Sequence, residues 1–252
     1  MMAVARLRAA AYGRHLPGLA TQLLQPEAID FEEGTEVFIA RSKLDGSLLG
    51  TLRTHVNALR ELPLEASIEL PERYRGARMV EAARLSVLGS TGASMVRNAL
   101  FKAFFLYAHS QKVDWMMATG RRPIDRMYDG LMFADVMTPG EFYPMEHVSG
   151  VPHRVMSFVP ADAQALWHAA RHPLYRFVFE TEHPDIDLSK ARNVDAMQAG
   201  RFGKSPAQLL SEAKALVETQ MQEALRSAPV QCSTFGAQIS GDSPRTGSAA
   251  SV

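Results

Sequence analysis

The feature that most limits the fold is one unit near the middle of the chain. Arg78–Val87 (RMVEAARLSV) reads as a strand with polar residues set among apolar ones. Gly89–Ser94 (GSTGAS) is a turn of small residues. Met95–Gln111 then carries Val96, Leu100, Ala103, Phe104 and Tyr107 near helical spacing. A short buried strand, Val113–Ala118, follows. Strand, turn, helix and strand in that order predict an α/β domain with a mixed sheet. A glycine-rich turn that opens a helix points free backbone N–H groups and the positive helix end at an anion. Phosphate or pyrophosphate is the natural ligand, although an ordinary tight strand–helix turn has the same composition. Neither a Walker A motif nor a dinucleotide fingerprint is present.

The flanking segments extend this pattern. Residues 3–12 (AVARLRAAAY) predict a short helix closed by Gly13. Residues 13–34 hold Pro17, Gly18, Pro26 and Gly34, and read as a long loop with room for one helical turn. Glu36–Arg41 and Leu48–Val56 predict a hairpin around Leu44-Asp45-Gly46, because Asp-Gly between apolar runs favours a tight turn. Asp45 is assigned that turn role. Pro123 opens a helix reaching about Met132. Val155–Val159 predicts a strand, Ala161–Ala170 a helix and Tyr175–Glu180 the last strand. Ser205–Arg226 predicts an amphipathic helix that packs on the domain or self-associates. Beyond Pro229 the Ser/Gly/Thr-rich chain predicts a disordered tail. The expected organisation is a domain over 1–187, a helical extension over 188–228 and the tail over 229–252.

Composition removes several function classes. The 252 residues carry 27 basic and 27 acidic side chains, a balance unlike that of a dedicated nucleic-acid binder. No run approaches the roughly 20 apolar residues that span a bilayer. The single cysteine, Cys232, lies in the polar tail and excludes an intramolecular disulfide framework. The eight histidines show no metal-binding spacing, so no metal is expected. Together these fit a cytoplasmic protein without an integral membrane segment.

The order of elements resembles the GNAT acyltransferase fold. Within it, the chain resembles the N-acyl amino acid synthase family, a relative of the acyl-homoserine-lactone synthases. The matching pieces are RLRAAAY, LDGSLLGTLRT, VEAARLSV, the GSTGAS–helix unit, RRPIDRMYDGLMF and FETEHPDI, over roughly residues 3–187. The resemblance implies a splayed sheet flanked by helices. It implies a bacterial enzyme that moves a fatty acyl group from an acyl carrier protein thioester to the amino group of an amino acid, giving a lipid-signalling or surface-active product. The acyl-phosphopantetheine thioester, on the carrier protein or as acyl-CoA, is then a co-substrate, and no tightly bound cofactor is expected. Its arm would lie between Arg78–Val87 and Val113–Ala118.

Site residues follow from the same match. Glu81 is the expected general base, because burial raises a carboxylate's pKa toward the range useful for taking an amine proton. The related synthases carry a similar Glu-x-x-Arg, matched here by Glu81 and Arg84. Arg84 would orient Glu81 or bind an acidic group of the acceptor, and Arg53 the same. A structural Glu81–Arg84 ion pair is the plain alternative. Tyr128 matches a tyrosine that protonates the leaving thiolate in many GNAT enzymes. Ser90, Thr91, Gly92, Ala93 and Ser94 would hold the donor phosphate, with Arg97 beside them. The loop lacks the leading Gln or Arg of the standard GNAT pyrophosphate loop, which suits a carrier-protein donor. Arg97, Lys102, Arg121, Arg122 and Arg126 form a basic set for an acidic carrier protein. Two other readings stand beside the synthase: an acyl-homoserine-lactone synthase or acyl-CoA-dependent N-acyltransferase, and a non-catalytic module that binds acyl chains or carrier protein.

Overall fold

The structure, a computed structural model, describes residues 1–89, 92–192, 214–215 and 218–219. The chain divides into two compact units, Met1–Lys214 and Ala215–Val252. The sheet and the helices that cover it belong to the first. Ser90 and Thr91, nearly all of the expected helix Ser205–Arg226, the expected tail and Cys232 lie outside the described residues.

Helices α1 (Met2–Gly13) and α2 (Pro17–Gln22) precede a hairpin of β1 (Thr35–Arg41) and β2 (Leu48–Val56). The turn forms as its sequence dictates: Gly46 takes a positive φ of 71°, and the Ser47 N–H and hydroxyl donate to Asp45 Oδ1 at 3.1 and 2.8 Å. Next come β3 (Met79–Val87), α3 (Ala93–Ser110), β4 (Trp115–Gly120) and α4 (Ile124–Gly130). Short strands β5 (Ala134–Asp135) and β6 (Tyr143–Met145), the longer β7 (Val151–Phe158) and α5 (Ala163–Ala169) complete the set. The sheet runs β1-β2-β3-β4-β7-β5, with β6 also on β7. Among the described residues only β3 and β4 pair in parallel, so the sheet is mixed, as the sequence predicts.

The sheet splits where it matters most. β3 and β4 pair only from Met79↔Trp115 to Ala82↔Ala118. Past that point β3 follows β2, pairing again at Thr51↔Ser86 and Gly50↔Val87. The β2–β3 register shifts between Thr51 and Arg53, and opposite this break Arg84 has a left-handed φ of 53°. A bulge of this kind bends its strand and increases its twist. The outer half of β3 thereby leaves β4, and a wedge opens between them.

One face of the sheet is covered by α3. Leu100, Phe104 and Ala108 pack with Leu52, Val80, Ala82, Met116 and Met156 in one buried core. The opposite face carries Arg53, His55 and Glu81, with His55 directly across from Glu81. Helix α1 lies over that face.

Two expectations change. The loop over 13–34 holds α2 and a short 3-10 turn, Ala28–Phe31, rather than one helical turn. Tyr175–Glu180 is not a strand: Arg176–Glu180 is a widened helical turn. Its apolar run Phe177, Val178 and Phe179 imitates a strand, but the carbonyls find a partner on a distant helix. Lys102 Nζ from α3 donates to Phe177 O at 2.7 Å and to Thr181 O at 2.5 Å. Phe179 sets its edge against Phe105 and Trp167, which fixes the turn on α3. Smaller shifts occur at Trp115–Gly120, expected as Val113–Ala118, and at β7, which starts at Val151 because its first half pairs with β6.

Lys102 is therefore structural. Lys102→Ala leaves two carbonyls without their donor and should lower unfolding stability by about 1–3 kcal/mol. Urea denaturation checks this, and Lys102→Arg should recover part of the loss.

Candidate active site

The wedge forms a cleft of about 330 Å³. Its walls are the outer half of β3, the end of β4 with Arg121, Ile124 and Tyr128 of α4, the end of α1 with Arg14 and His15, and a segment bearing His147 and His153. Behind Tyr128 lies an apolar chamber of about 220 Å³, walled by Phe101, Phe104, Leu131 and Leu174. Ala82, Leu85, Arg97 and Tyr128 line both spaces, so the two share a wall at the splitting point of the strands.

Beneath the cleft is a buried ion cluster. Arg8 Nη1 donates to both oxygens of Asp30, at 2.7 and 2.9 Å. Arg53 Nη1 donates to Asp30 Oδ1 at 3.0 Å and to Glu27 Oε2 at 2.9 Å. Arg84 grips Glu27 with two bonds, Nε to Oε2 at 2.9 Å and Nη2 to Oε1 at 2.7 Å, and donates to His147 O at 2.9 Å. Burial opposes ionisation of Glu27. The bonds and charge of Arg84, with Arg53 and Arg8, outweigh it and pull the carboxyl down to about 2. The Glu27 N–H also donates to Asp30 Oδ2 at 3.0 Å, which closes the local turn.

Glu81 stands apart from these arginines. It is wholly buried, and its Oε2 accepts from the Leu64 N–H at 3.0 Å. Its Oε1 has no hydrogen-bond partner among the described residues. Desolvation pushes the carboxyl up to about 8, against the pull of the Leu64 N–H and the Arg53 charge. No Glu81–Arg84 ion pair forms. The bulge gives Arg84 to Glu27 instead.

Tyr128 is buried at the junction of cleft and chamber, and burial raises its hydroxyl above the ordinary tyrosine range. Gly92 takes φ 95° just ahead of α3, Ala93 and Arg97 line the cleft, and Arg97 Nη2 donates to Ser94 Oγ at 3.1 Å. Of the expected set, the cleft gathers Arg84, Ala93, Arg97 and Tyr128. It does not gather Arg53 or Glu81, which lie in the interior below it, and Ser90 and Thr91 are not described. Arg122 and Arg126 are exposed and Arg121 half-buried on the cleft's rim, while Lys102 is buried and not part of any basic surface.

Sequence reasoning missed Arg8, Glu27, Asp30, His147 and His153. One signal was available: Glu27 and Asp30 are the first acids in a chain that already carries Arg6, Arg8 and Arg14. His147 is held neutral by burial and the Arg84 charge, down to about 4. His153 is lowered by burial, and its Nδ1 lies 2.8 Å from Val151 O, which leaves Nε2 as the acceptor nitrogen when that contact is a donated bond.

A model of the N-acyl amino acid synthase FeeM family matches residues 3–156. The chain belongs to this family. It is an N-acyltransferase. Similar solved structures include FeeM, an N-acyl amino acid synthase from uncultured soil microbes, at 16% identity. That likeness covers 65% of this chain and 92% of the other, with a TM-score of 0.49. The CoA-dependent acyl-homoserine lactone synthase BjaI, with SAM and isopentyl-CoA, is 14% identical, with 68% and 82% covered and a TM-score of 0.46. Tetrahymena GCN5 is 12% identical, with 62% and 85% covered and a TM-score of 0.41. No curated protein sequence matches. Among the described residues no helix is long and apolar enough to cross a membrane.

The raised Glu81 has a consequence for stability. A carboxyl with pKa about 8 when folded, against 4.5 ordinarily, binds its proton more tightly in the folded state. Its contribution is complete below 4.5 and fades as pH rises through 8. Glu81→Gln, which cannot ionise, should flatten the fall in stability between pH 5 and 9. Chemical denaturation across that range measures it.

Proposed function

We propose that this enzyme transfers a long-chain acyl group from the phosphopantetheine thioester of an acyl carrier protein to the amino group of an amino acid. The observation that carries the reading is a cleft between separated strands that meets an apolar chamber at a buried tyrosine. Residues 1–187 supply the catalytic domain in this reading. The donor arm enters between β3 and β4. There the outer edge of β3, unpaired with β4 beyond Ala82, offers N–H and C=O groups to the arm's amides. Its phosphate rests near the start of α3, beside Gly92, Ala93 and Ser94. The acyl chain extends into the chamber past Tyr128.

The chemistry needs a neutral amine at the thioester carbonyl. The amine nitrogen bonds to the carbonyl carbon, its proton passes through intervening water to Glu81 in the interior below the cleft, and the C–S bond breaks. A Glu81 poised near 8 is matched to an amine proton better than an ordinary carboxylate. Tyr128, kept protonated by burial, gives its proton to the leaving thiolate and regains one from solvent. Arg84 and Arg53 act through Glu27, holding the floor on which the acceptor sits. Arg121 on the cleft wall, with Arg122 and Arg126 exposed nearby in sequence, offers positive charge to an acidic carrier protein.

Mass spectrometry of lipids from cells overproducing the chain tests this, beside cells making Glu81→Gln. A ladder of N-acyl amino acids that disappears in the variant supports the reading and names the acceptor. Acyl lactones would move the chain to S-adenosylmethionine as acceptor, and no new lipid with any thioester donor in vitro would sink the enzyme assignment. A second test concerns the chamber. Leu174→Trp fills space at its wall and should shift the product ladder toward shorter acyl chains by two or more carbons, with total turnover largely kept on short donors.

A further inference from the structure

The cleft is unbalanced in charge. Arg14, Arg84, Arg97 and Arg121 line it, and among the described residues no carboxylate does. Arg84 is neutralised from below by Glu27. Arg14 is not: it is exposed, and it makes no ion pair or side-chain hydrogen bond among the described residues. Yet it is not simply splayed into solvent. Its guanidinium lies against Gly89, so close that a side chain there would overlap Nη1, with Cζ and Nη2 only 3.2 Å from the place of a Cβ. Arg14 comes from the end of α1, far in sequence from the small-residue turn. The fold thus brings a cation to a turn whose own sequence supplies none at its leading edge.

We propose that Arg14 binds the phosphate of the donor's pantetheine arm, and that Gly89 lacks a side chain in order to seat that guanidinium. This rests on the acyl-phosphopantetheine donor proposed for the cleft. A fork of N–H donors grips phosphate oxygens with direction as well as charge. With Arg97 across the start of α3, it places two guanidiniums around the site where the helix amides point. The shared chemistry is a phosphate ester of pantetheine, whether the arm is carried on protein or on coenzyme A.

The test compares acyl-4′-phosphopantetheine with acyl-pantetheine, which differ only in the phosphate. The wild-type enzyme should favour the phosphorylated donor about tenfold in kcat/KM, roughly 1.4 kcal/mol. Arg14→Ala should collapse that ratio toward one, mainly through KM, and Arg14→Lys should retain part of it. Gly89→Ala displaces the guanidinium and should lower the ratio alone, yet add little on top of Arg14→Ala. Acyl-carrier protein and acyl-CoA, run in parallel, tell the two sources of the phosphate apart. A phosphate preference that survives Arg14→Ala overturns the proposal while leaving the donor reading intact. Variants that weaken both pantetheine donors alike assign Arg14 a structural role and overturn it too. A wild-type enzyme silent with every pantetheine thioester removes the donor reading and this proposal with it.

Discussion

Arg84 joins the two things this site needs: a split sheet and a stable floor. Its left-handed backbone lets β3 bulge, and the bulge takes the strand away from β4. A bulky residue in that conformation costs about 1–2 kcal/mol. The guanidinium offsets this with a two-point grip on Glu27 and a third bond to His147 O. The same residue therefore opens the cleft through its backbone and anchors two of its walls through its side chain. A lysine in its place keeps the charge but loses the fork that spans both Glu27 oxygens.

The ion cluster beneath explains how so much charge is tolerated inside. Desolvating a lone guanidinium costs several kcal/mol, so a buried one needs an anion beside it; Arg8 Nε and Nη2 and Arg53 Nε still lack hydrogen-bond partners among the described residues. Arg8, Arg53 and Arg84 share Glu27 and Asp30, and Asp30 is itself buried. Three cations on two anions leave a positive floor. Burial, with the Arg84 charge behind it, holds His147 neutral. Glu81 lies on the same face of the sheet but outside the cluster's hydrogen bonds, and desolvation governs it instead. Two carboxylates on one floor are thus driven apart, Glu27 to about 2 and Glu81 to about 8. Such separation lets one act as a fixed charge and the other move a proton.

How much of this was legible in the sequence depends on the range of each interaction. The hairpin at Asp45-Gly46, the strand at Met79–Val87 and the helix after Gly92 are written in local spacing, and local spacing sufficed. The turn at Arg176–Glu180 was not legible, because Phe-Val-Phe alternation suits a strand equally. Its conformation is decided by Lys102, whose contact with Phe177 O spans 75 positions. Glu27 sits in a stretch that reads as loop, and its meaning comes from Arg84, 57 positions away. The bulge itself leaves no mark in RMVEAARLSV. Glu81 was visible as a strand carboxylate, but its separation from Arg84 depends on that unmarked bulge.

A cleft made by parting two strands carries an energetic problem that also explains its use. Beyond Ala82, β3 keeps its bonds to β2 but presents its other edge to the gap. Buried backbone groups left without partners are costly, so such an edge persists only where water or a ligand can reach it. A pantetheine arm is suited to it, since its amides supply the donors and acceptors that β4 withdraws. Recognition through backbone groups asks little of the side chains along residues 83–87. On the proposed reading, side chains need specify only the ends: cations for the phosphate, and Tyr128 with an apolar chamber for the acyl chain. The middle of the site is thus built from conformation, and only its two ends are built from residue type.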